Sequence, residues 1–152
     1  MAVEVHVATE VTDEIVAAFA HLIPQLSSSN PPPDKAFLTG IVDHEACHLL
    51  IATDTDTGQI LGSLTLVIFP IPTAMRAWIE DVVVDDAARG KGVGALLNNF
   101  AIDLADRAGC KTVDLTSRPS REAANRLYQR LGFELRTTNV YRYTIVSSYK
   151  DV

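Results

Sequence analysis

The residues best suited to chemistry in this chain form a glycine-rich run, Asp85-Asp86-Ala87-Ala88-Arg89-Gly90-Lys91-Gly92-Val93-Gly94. It follows the β-branched segment Val82-Val83-Val84 and precedes a helical pattern. Glycines at such a junction let backbone N–H groups converge on one point with no side chains in the way. A helix N-terminus adds unpaired amide donors and partial positive charge. The combination suits a phosphate or pyrophosphate, and Arg89 and Lys91 can add full charges. A tight turn whose glycines serve only backbone shape accounts for the same residues. Two rival phosphate motifs can be tested directly. A triphosphate loop needs Ser or Thr after Gly-Lys, whereas Lys91 is followed by Gly92. A dinucleotide fingerprint tolerates Gly90, Gly92 and Ala95 at its three positions, but it belongs after the first strand of a parallel βαβ unit. Here the preceding strands read as antiparallel.

Glu80 and Asp81, just upstream, alternate sides of a strand, so one of them is expected to face the cleft beside the turn. His44-Glu45-Ala46-Cys47-His48 invites a metal reading, since two histidines four apart can share a helix face. The segment crosses from a helix end into a strand, which removes that geometry, and no metal is expected.

Several elements must position these groups. Val3, Val5 and Val7 alternate with Glu4 and His6 as a half-buried strand. Thr12 caps a helix through Ile15, Val16, Phe19 and Leu22, which Pro24 ends or kinks. A breaker-rich loop, Ser27 to Pro33, leads to a second helix over about Asp34 to Asp43. His48 to Ala52, Ile60 to Phe69 and Ala77 to Val84 form an antiparallel meander, with turns at Asp54 to Gly58 and at Pro70 and Pro72, and Gly62 at a bulge. Gly92 to Ala108 is a helix closed by Gly109; Thr112 to Thr116 is a strand; Ser120 to Leu131 is a helix closed by Gly132. Phe133 to Leu135 and Val140 to Val146 are expected to finish the sheet, with Tyr141, Tyr143 and Tyr149 packing in it or lining an acceptor site.

The whole chain, residues 1–152, reads as a single domain large enough for a substantial core. Thirteen basic against nineteen acidic residues leave a formal charge of −6, which disfavours nucleic acid as a partner and suits a cationic small substrate or plain solubility. Cys47 and Cys110 do not suggest a disulfide framework, no secretory signal is evident, and no apolar run reaches the length of a membrane span. A cytoplasmic location without a membrane partner is expected.

The motifs together resemble the GNAT acetyltransferase superfamily. Arg89-Gly90-Lys91-Gly92-Val93-Gly94 matches its Arg/Gln-x-x-Gly-x-Gly/Ala pattern, Ile79 to Asp85 looks like its fourth strand, and Ala124-Asn125-Arg126-Leu127-Tyr128-Gln129-Arg130-Leu131-Gly132-Phe133 looks like its closing Ala-x-x-x-Tyr-x-x-x-Gly-Phe segment. The resemblance implies an α/β (α+β) fold: a mixed, mostly antiparallel six- or seven-stranded sheet with helices on both faces, splayed between strands four and five. It implies acetyl-coenzyme A as co-substrate, with pantetheine on the backbone of Val82, Val83 and Val84 and pyrophosphate on the turn, Arg89, Gly90, Lys91, Gly92, Val93, Gly94 and Ala95. Tyr128 is the implied general acid for the departing thiolate, and Asn125, on the same helical face, can hydrogen-bond the cofactor or lie exposed. Glu80 is the implied general base, through water, or an electrostatic contact for a cationic amine. An asparagine common seven residues before the tyrosine is replaced here by Arg121, whose role the resemblance leaves open.

The implied activity is N-acetyl transfer to a primary amine of a small molecule or peptide; a homodimer is allowed by family habit. A non-catalytic acyl-coenzyme A binding module acting through a protein partner, and a nucleotide-binding module, are the competing readings. Calorimetric titration separates them: micromolar binding of acetyl-coenzyme A, with no heat from nucleotide triphosphate or dinucleotide, is expected, and no binding of acetyl-coenzyme A would undercut the resemblance.

Overall fold

The computed structural model describes residues 2–147. The elements run β1 (Val3–Val7), α1 (Asp13–Leu26), α2 (Lys35–Val42), β2 (Cys47–Asp54), β3 (Ile60–Ile71), β4 (Ala74–Val84), a 3₁₀ turn (Asp86–Ala88), α3 (Val93–Arg107), β5 (Thr112–Asp114) and α4 (Glu122–Arg130). The strands form one sheet in sequence order, antiparallel from β1 to β4, with β5 parallel to β4. This mixed α/β architecture agrees with the expected class.

Local chemistry explains most element boundaries. Thr12 accepts a hydrogen bond from the Ile15 amide at 3.2 Å, and Asp34 accepts one from Phe37 at 2.8 Å, so both α1 and α2 begin on side-chain caps. Pro24 lies inside α1, which continues to Leu26. Gly109 and Gly132 follow α3 and α4 with φ of +82° and +99°, the left-handed conformation that lets a helix stop.

The central strands are buried on both sides, and their two-residue period sorts side chains between two cores. On β2, Leu50 and Ala52 face Val93, Leu97, Ala101 and Ala105 of α3. Their neighbours Leu49 and Ile51 face Ile15, Phe19 and Leu38 of α1 and α2. Helices therefore cover both faces, as expected.

Three expectations need correction. The hairpin turn is Pro72-Thr73 alone, because Pro70 still pairs with Met75 inside the ladder. The β2 partner of β3 ends at Val67, so Pro70 sits where β3 is an edge and its missing N–H costs no ladder bond. β5 ends at Asp114 rather than Thr116, because its pairing with β4 ends there. The sheet has five strands among the described residues, not six or seven: Phe133 to Leu135 and Val140 to Val146 are irregular and join no ladder among those residues. Their apolar alternation gives β propensity, yet a strand needs a ladder partner, and none of the described residues supplies one.

Gly62 is the tightest backbone contact in the sheet. A Cβ there would stand 2.7 Å from the Val83 carbonyl oxygen and 3.3 Å from Leu97 Cδ1, next to the register shift of the β2–β3 ladder. Gly62→Ala is expected to destabilise the protein by about 2 kcal/mol, lowering Tm by about 6 °C. A thermal melt matching the wild type would show that β4 yields at no cost.

Candidate active site

The site begins where β4 and β5 separate. The two strands pair only at Arg76–Thr112, Ala77–Val113 and Trp78–Asp114. An ion pair from Arg76 to Asp114 clamps them beside the last of these pairs. Beyond Trp78 the edge of β4 that faced β5 has no strand against it, while its other edge stays on β3 as far as Val84.

β4 also changes phase in this stretch. Thr65 pairs with Glu80 but Ser63 pairs with Val83, so β4 carries an extra residue, and Asp81 takes a φ of +50°. Asp tolerates that conformation better than most residues with a Cβ. The bulge decides what reaches solvent. Ile79 packs in the α3-side core, and strict alternation would send Asp81 there too; instead Asp81 is exposed, and Val82 and Val84 pack against that core.

A cleft of about 140 Å³ opens at the separation, lined by Ile79, Glu80, Asp81 and Val82 of β4, Leu115 and Thr116 after β5, Leu26 at the end of α1, and Arg121 and Tyr128. Three sequence-predicted residues, Glu80, Val82 and Tyr128, thus meet in one place. Both acidic neighbours line it, not one, because the bulge breaks the alternation. Glu80 is held from behind: Trp78 Nε1 donates to its Oε1 at 2.7 Å. Tyr128 is 8% exposed and packs edge-on against Phe133, with ring centroids 5.7 Å apart. Burial pushes its phenol above the ordinary tyrosine value, and the Arg121 charge pulls it partly back. Tyr128 is therefore a neutral O–H at physiological pH.

Arg121 occupies the N-cap position of α4, exposed, and makes no side-chain cap hydrogen bond. Asn125 donates Nδ2 to the Arg118 carbonyl at 2.9 Å and so holds the loop that carries Arg121. Neither Val83, which is buried, nor Val84 lines the cleft with its side chain.

The glycine-rich turn follows the end of the same strand, a few residues beyond the cleft. Gly90 and Gly92 have φ of +77° and +82°, which only glycine adopts freely. Gly92 is the N-cap of α3 and offers no side chain to the helix amides. The amides of Val93, Gly94 and Ala95 are thus the free donors of the first helical turn. Gly94 serves a different purpose, since a Cβ there would sit 3.2 Å from Leu127 Cδ2 on α4. Lys91 is exposed, and Arg89 pairs with Asp86 at 3.0 Å.

A buried carboxylate missed in the sequence ties this turn to α1. Asp85, 4% exposed, accepts from the Ala87 amide at 3.2 Å, lies 3.1 Å from His21 Nε2, and accepts from Gln25 Nε2 at 3.5 Å. Gln25 Oε1 accepts the Asp86 amide at 2.8 Å. Burial alone raises the Asp85 carboxyl, but these donors and the nearby His21 outweigh it and hold it below its ordinary value. No sequence spacing marks this cluster, because its members are sixty or more residues apart.

The suggested metal residues are separated: His44 Nδ1 accepts the Ala46 amide in the loop before β2, while His48 lies on β2 beside the Leu66 carbonyl at 3.3 Å. Among the described residues no group of three or more His, Cys, Asp or Glu could hold a metal ion. Tyr141 and Tyr143 are exposed and outside the cleft, and Tyr149 lies outside the described residues.

Comparisons with known proteins place the chain in a family. Residues 10–133 match the family model of the acetyltransferase (GNAT) family. A glucosamine 6-phosphate N-acetyltransferase from Oryza sativa subsp. japonica is 31% identical over 127 residues, covering 79% of this chain and 75% of that protein. The glucosamine 6-phosphate N-acetyltransferase of Trypanosoma brucei brucei is 39% identical over 97 residues, covering 62% and 60%. Among solved structures, an aminoglycoside acetyltransferase from an uncultured soil metagenomic sample superposes with a TM-score of 0.81 at 17% identity, over 95% of this chain and 97% of that one. The chain belongs to the GNAT acetyltransferase family, and it is an acetyl-transferring enzyme.

Ionised Asp85 is stabilised by folding, so its contribution is present above the unfolded carboxyl value and is lost as pH falls through the lowered folded one. Asp85→Asn should be less stable than wild type at neutral pH, with the gap closing below about pH 4. Urea midpoints measured against pH check this; parallel curves would show that the carboxylate charge contributes nothing.

Proposed function

We propose that this enzyme transfers the acetyl group of acetyl-coenzyme A to the primary amine of a small molecule, by direct attack in a ternary complex. The observation that carries the reading is the meeting of a neutral, buried phenol and two carboxylates at the open edge of β4, on the strand that leads directly into a turn of free amides.

The protein's contributions follow from that arrangement. The edge of Val82 to Val84 turned away from β3 offers N–H and C=O groups to the pantetheine amides, as a strand would. The amides from Gly90 to Ala95 take the pyrophosphate, with charge from Lys91 and Arg89. Asn125, whose Nδ2 gives one hydrogen to the Arg118 carbonyl, has its second Nδ2 hydrogen and its Oδ1 left for polar groups of the cofactor. The thioester supplies the electrophilic carbonyl. A backbone N–H near Val83 or Val84 is placed to stabilise the developing oxyanion.

Asp81 adds a second negative charge that holds the substrate as an ammonium; one proton leaves it through water toward Glu80 and on to solvent, the neutral amine nitrogen then bonds to the carbonyl carbon, and its surplus proton leaves by the same route. The carbon–sulfur bond then breaks, and the Tyr128 phenol gives its proton to the sulfur. Arg121 stabilises the tyrosinate that remains until solvent returns the proton.

The lining also suggests the acceptor. Glu80 and Asp81 favour a cationic amine, while Arg121 offers a countercharge to an anionic group on the same molecule. An amino sugar phosphate meets both requirements, and relatives named for glucosamine 6-phosphate support trying it first. The test is thiol release from acetyl-coenzyme A with glucosamine 6-phosphate, glucosamine and a panel of other amines. Tyr128→Phe is expected to lower kcat about 10²-fold with KM for acetyl-coenzyme A nearly unchanged. An unchanged kcat would remove the acid role and leave the enzyme class standing. Binding of acetyl-coenzyme A without turnover on any amine would favour a non-catalytic module.

A further inference from the structure

Two acidic residues, Asp85 and Asp86, open the turn that takes the pyrophosphate in the proposed reaction. Negative charge at the head of an anion site opposes the anion, so each carboxylate there needs an answering group. Asp86 has one within the turn, Arg89 at 3.0 Å. Asp85 finds the Ala87 amide on its own segment, and its other side-chain partners come from α1. His21 and Gln25 stand four residues apart on that helix, on one face, and both reach the same carboxylate.

Their hydrogens can be assigned. Asp85 is ionised at neutral pH, so its oxygens only accept, and His21 carries a proton on Nε2 to meet Oδ2 at 3.1 Å. That nitrogen is then no acceptor for Gln25, although the two lie 3.3 Å apart. Gln25 Nε2 gives its two hydrogens to Asp85 Oδ1 at 3.5 Å and to the His21 carbonyl at 3.3 Å, and its Oε1 takes the Asp86 amide at 2.8 Å. Two side chains of α1 thus hold one carboxylate and one backbone amide at the start of the turn. Beyond them the turn hangs between Ala88 and Val93, both buried in the α3-side core, while Arg89, Gly90, Lys91 and Gly92 are exposed. Gly90 and Gly92 lose more freedom on being fixed than other residues do. A loop already held in its bound shape loses less when the ligand arrives. The downstream hold is α3 itself, and the upstream hold is the cluster around Asp85.

We propose that His21 and Gln25 are positioning residues for the coenzyme: by holding Asp85 and Asp86 they preset the turn amides, and so set the affinity for acetyl-coenzyme A without touching it. The inference rests on the turn being the pyrophosphate site. Neither side chain lines the cleft, so their effect falls on the pyrophosphate and not on the thioester arm. A role in holding the fold alone would weaken every ligand alike. Acetyl-pantetheine separates the two, because it carries the same thioester and arm without the pyrophosphate and nucleotide.

Acetyl-coenzyme A is titrated by calorimetry and acetyl-pantetheine by ligand-observed NMR. His21→Ala and Gln25→Ala should each weaken acetyl-coenzyme A about 10-fold and leave acetyl-pantetheine within about 2-fold of wild type. His21 is exposed on α1, so its removal opens no cavity. His21→Gln, which can return an amide N–H to Asp85, should recover most of the loss. Three results would overturn the proposal: alanine variants that bind acetyl-coenzyme A as wild type does, equal loss of both ligands, or a His21→Gln protein no better than His21→Ala. A wild type that binds acetyl-coenzyme A no more tightly than acetyl-pantetheine would remove the pyrophosphate reading itself, and this inference with it.

Discussion

The structure depends on how early β4 and β5 stop pairing. Three residue pairs hold them, an Arg76–Asp114 ion pair closes the last, and beyond it the strands diverge. Continuous pairing would bury every backbone group of β4 between two neighbours and leave no cleft. Divergence leaves N–H and C=O groups on one edge without a protein partner, and such groups must be met by water or by a ligand. The cost of that exposure is borne by a strand already anchored to β3 along its other edge and packed by helices on both faces. A scaffold with two complete cores can leave one seam open.

The bulge at Asp81 works with that opening. It inserts one residue into β4, keeps Ile79, Val82 and Val84 against the α3-side core, and moves a carboxylate out to solvent that strict alternation would have buried. An unpaired carboxylate in the core would carry a large desolvation cost, so the backbone strain at one residue is the smaller term. The result places two acids, a neutral phenol and a guanidinium in one small cleft. Burial keeps Tyr128 protonated, and Trp78 donates a hydrogen bond to the exposed Glu80.

The turn after β4 is fixed from a distant part of the chain. Glycines give it the left-handed conformations it needs, and α3 gives it free amides, but His21 and Gln25 of α1 hold Asp85 and Asp86 at its start. α1 also ends at Leu26 on the cleft. One helix therefore touches both the turn and the cleft.

Much was legible in the chain itself, wherever the cause is local. Thr12 and Asp34 each carry the cap of their own helix, the glycines of the turn carry their own φ, and alternation along β2 assigns each side chain to a face. The family motifs sit on these local features, which is why Tyr128, Glu80 and the turn could be named from residues alone. Tertiary structure decided the rest. Whether both Glu80 and Asp81 face the cleft depends on register against β3, and Asp85 becomes a buried anchor only when residues sixty or more positions away arrive beside it. Residues 140–146 have the composition and alternation of a strand, yet are unpaired here. Propensity and period belong to a segment, but pairing belongs to two segments and to the fold that brings them together.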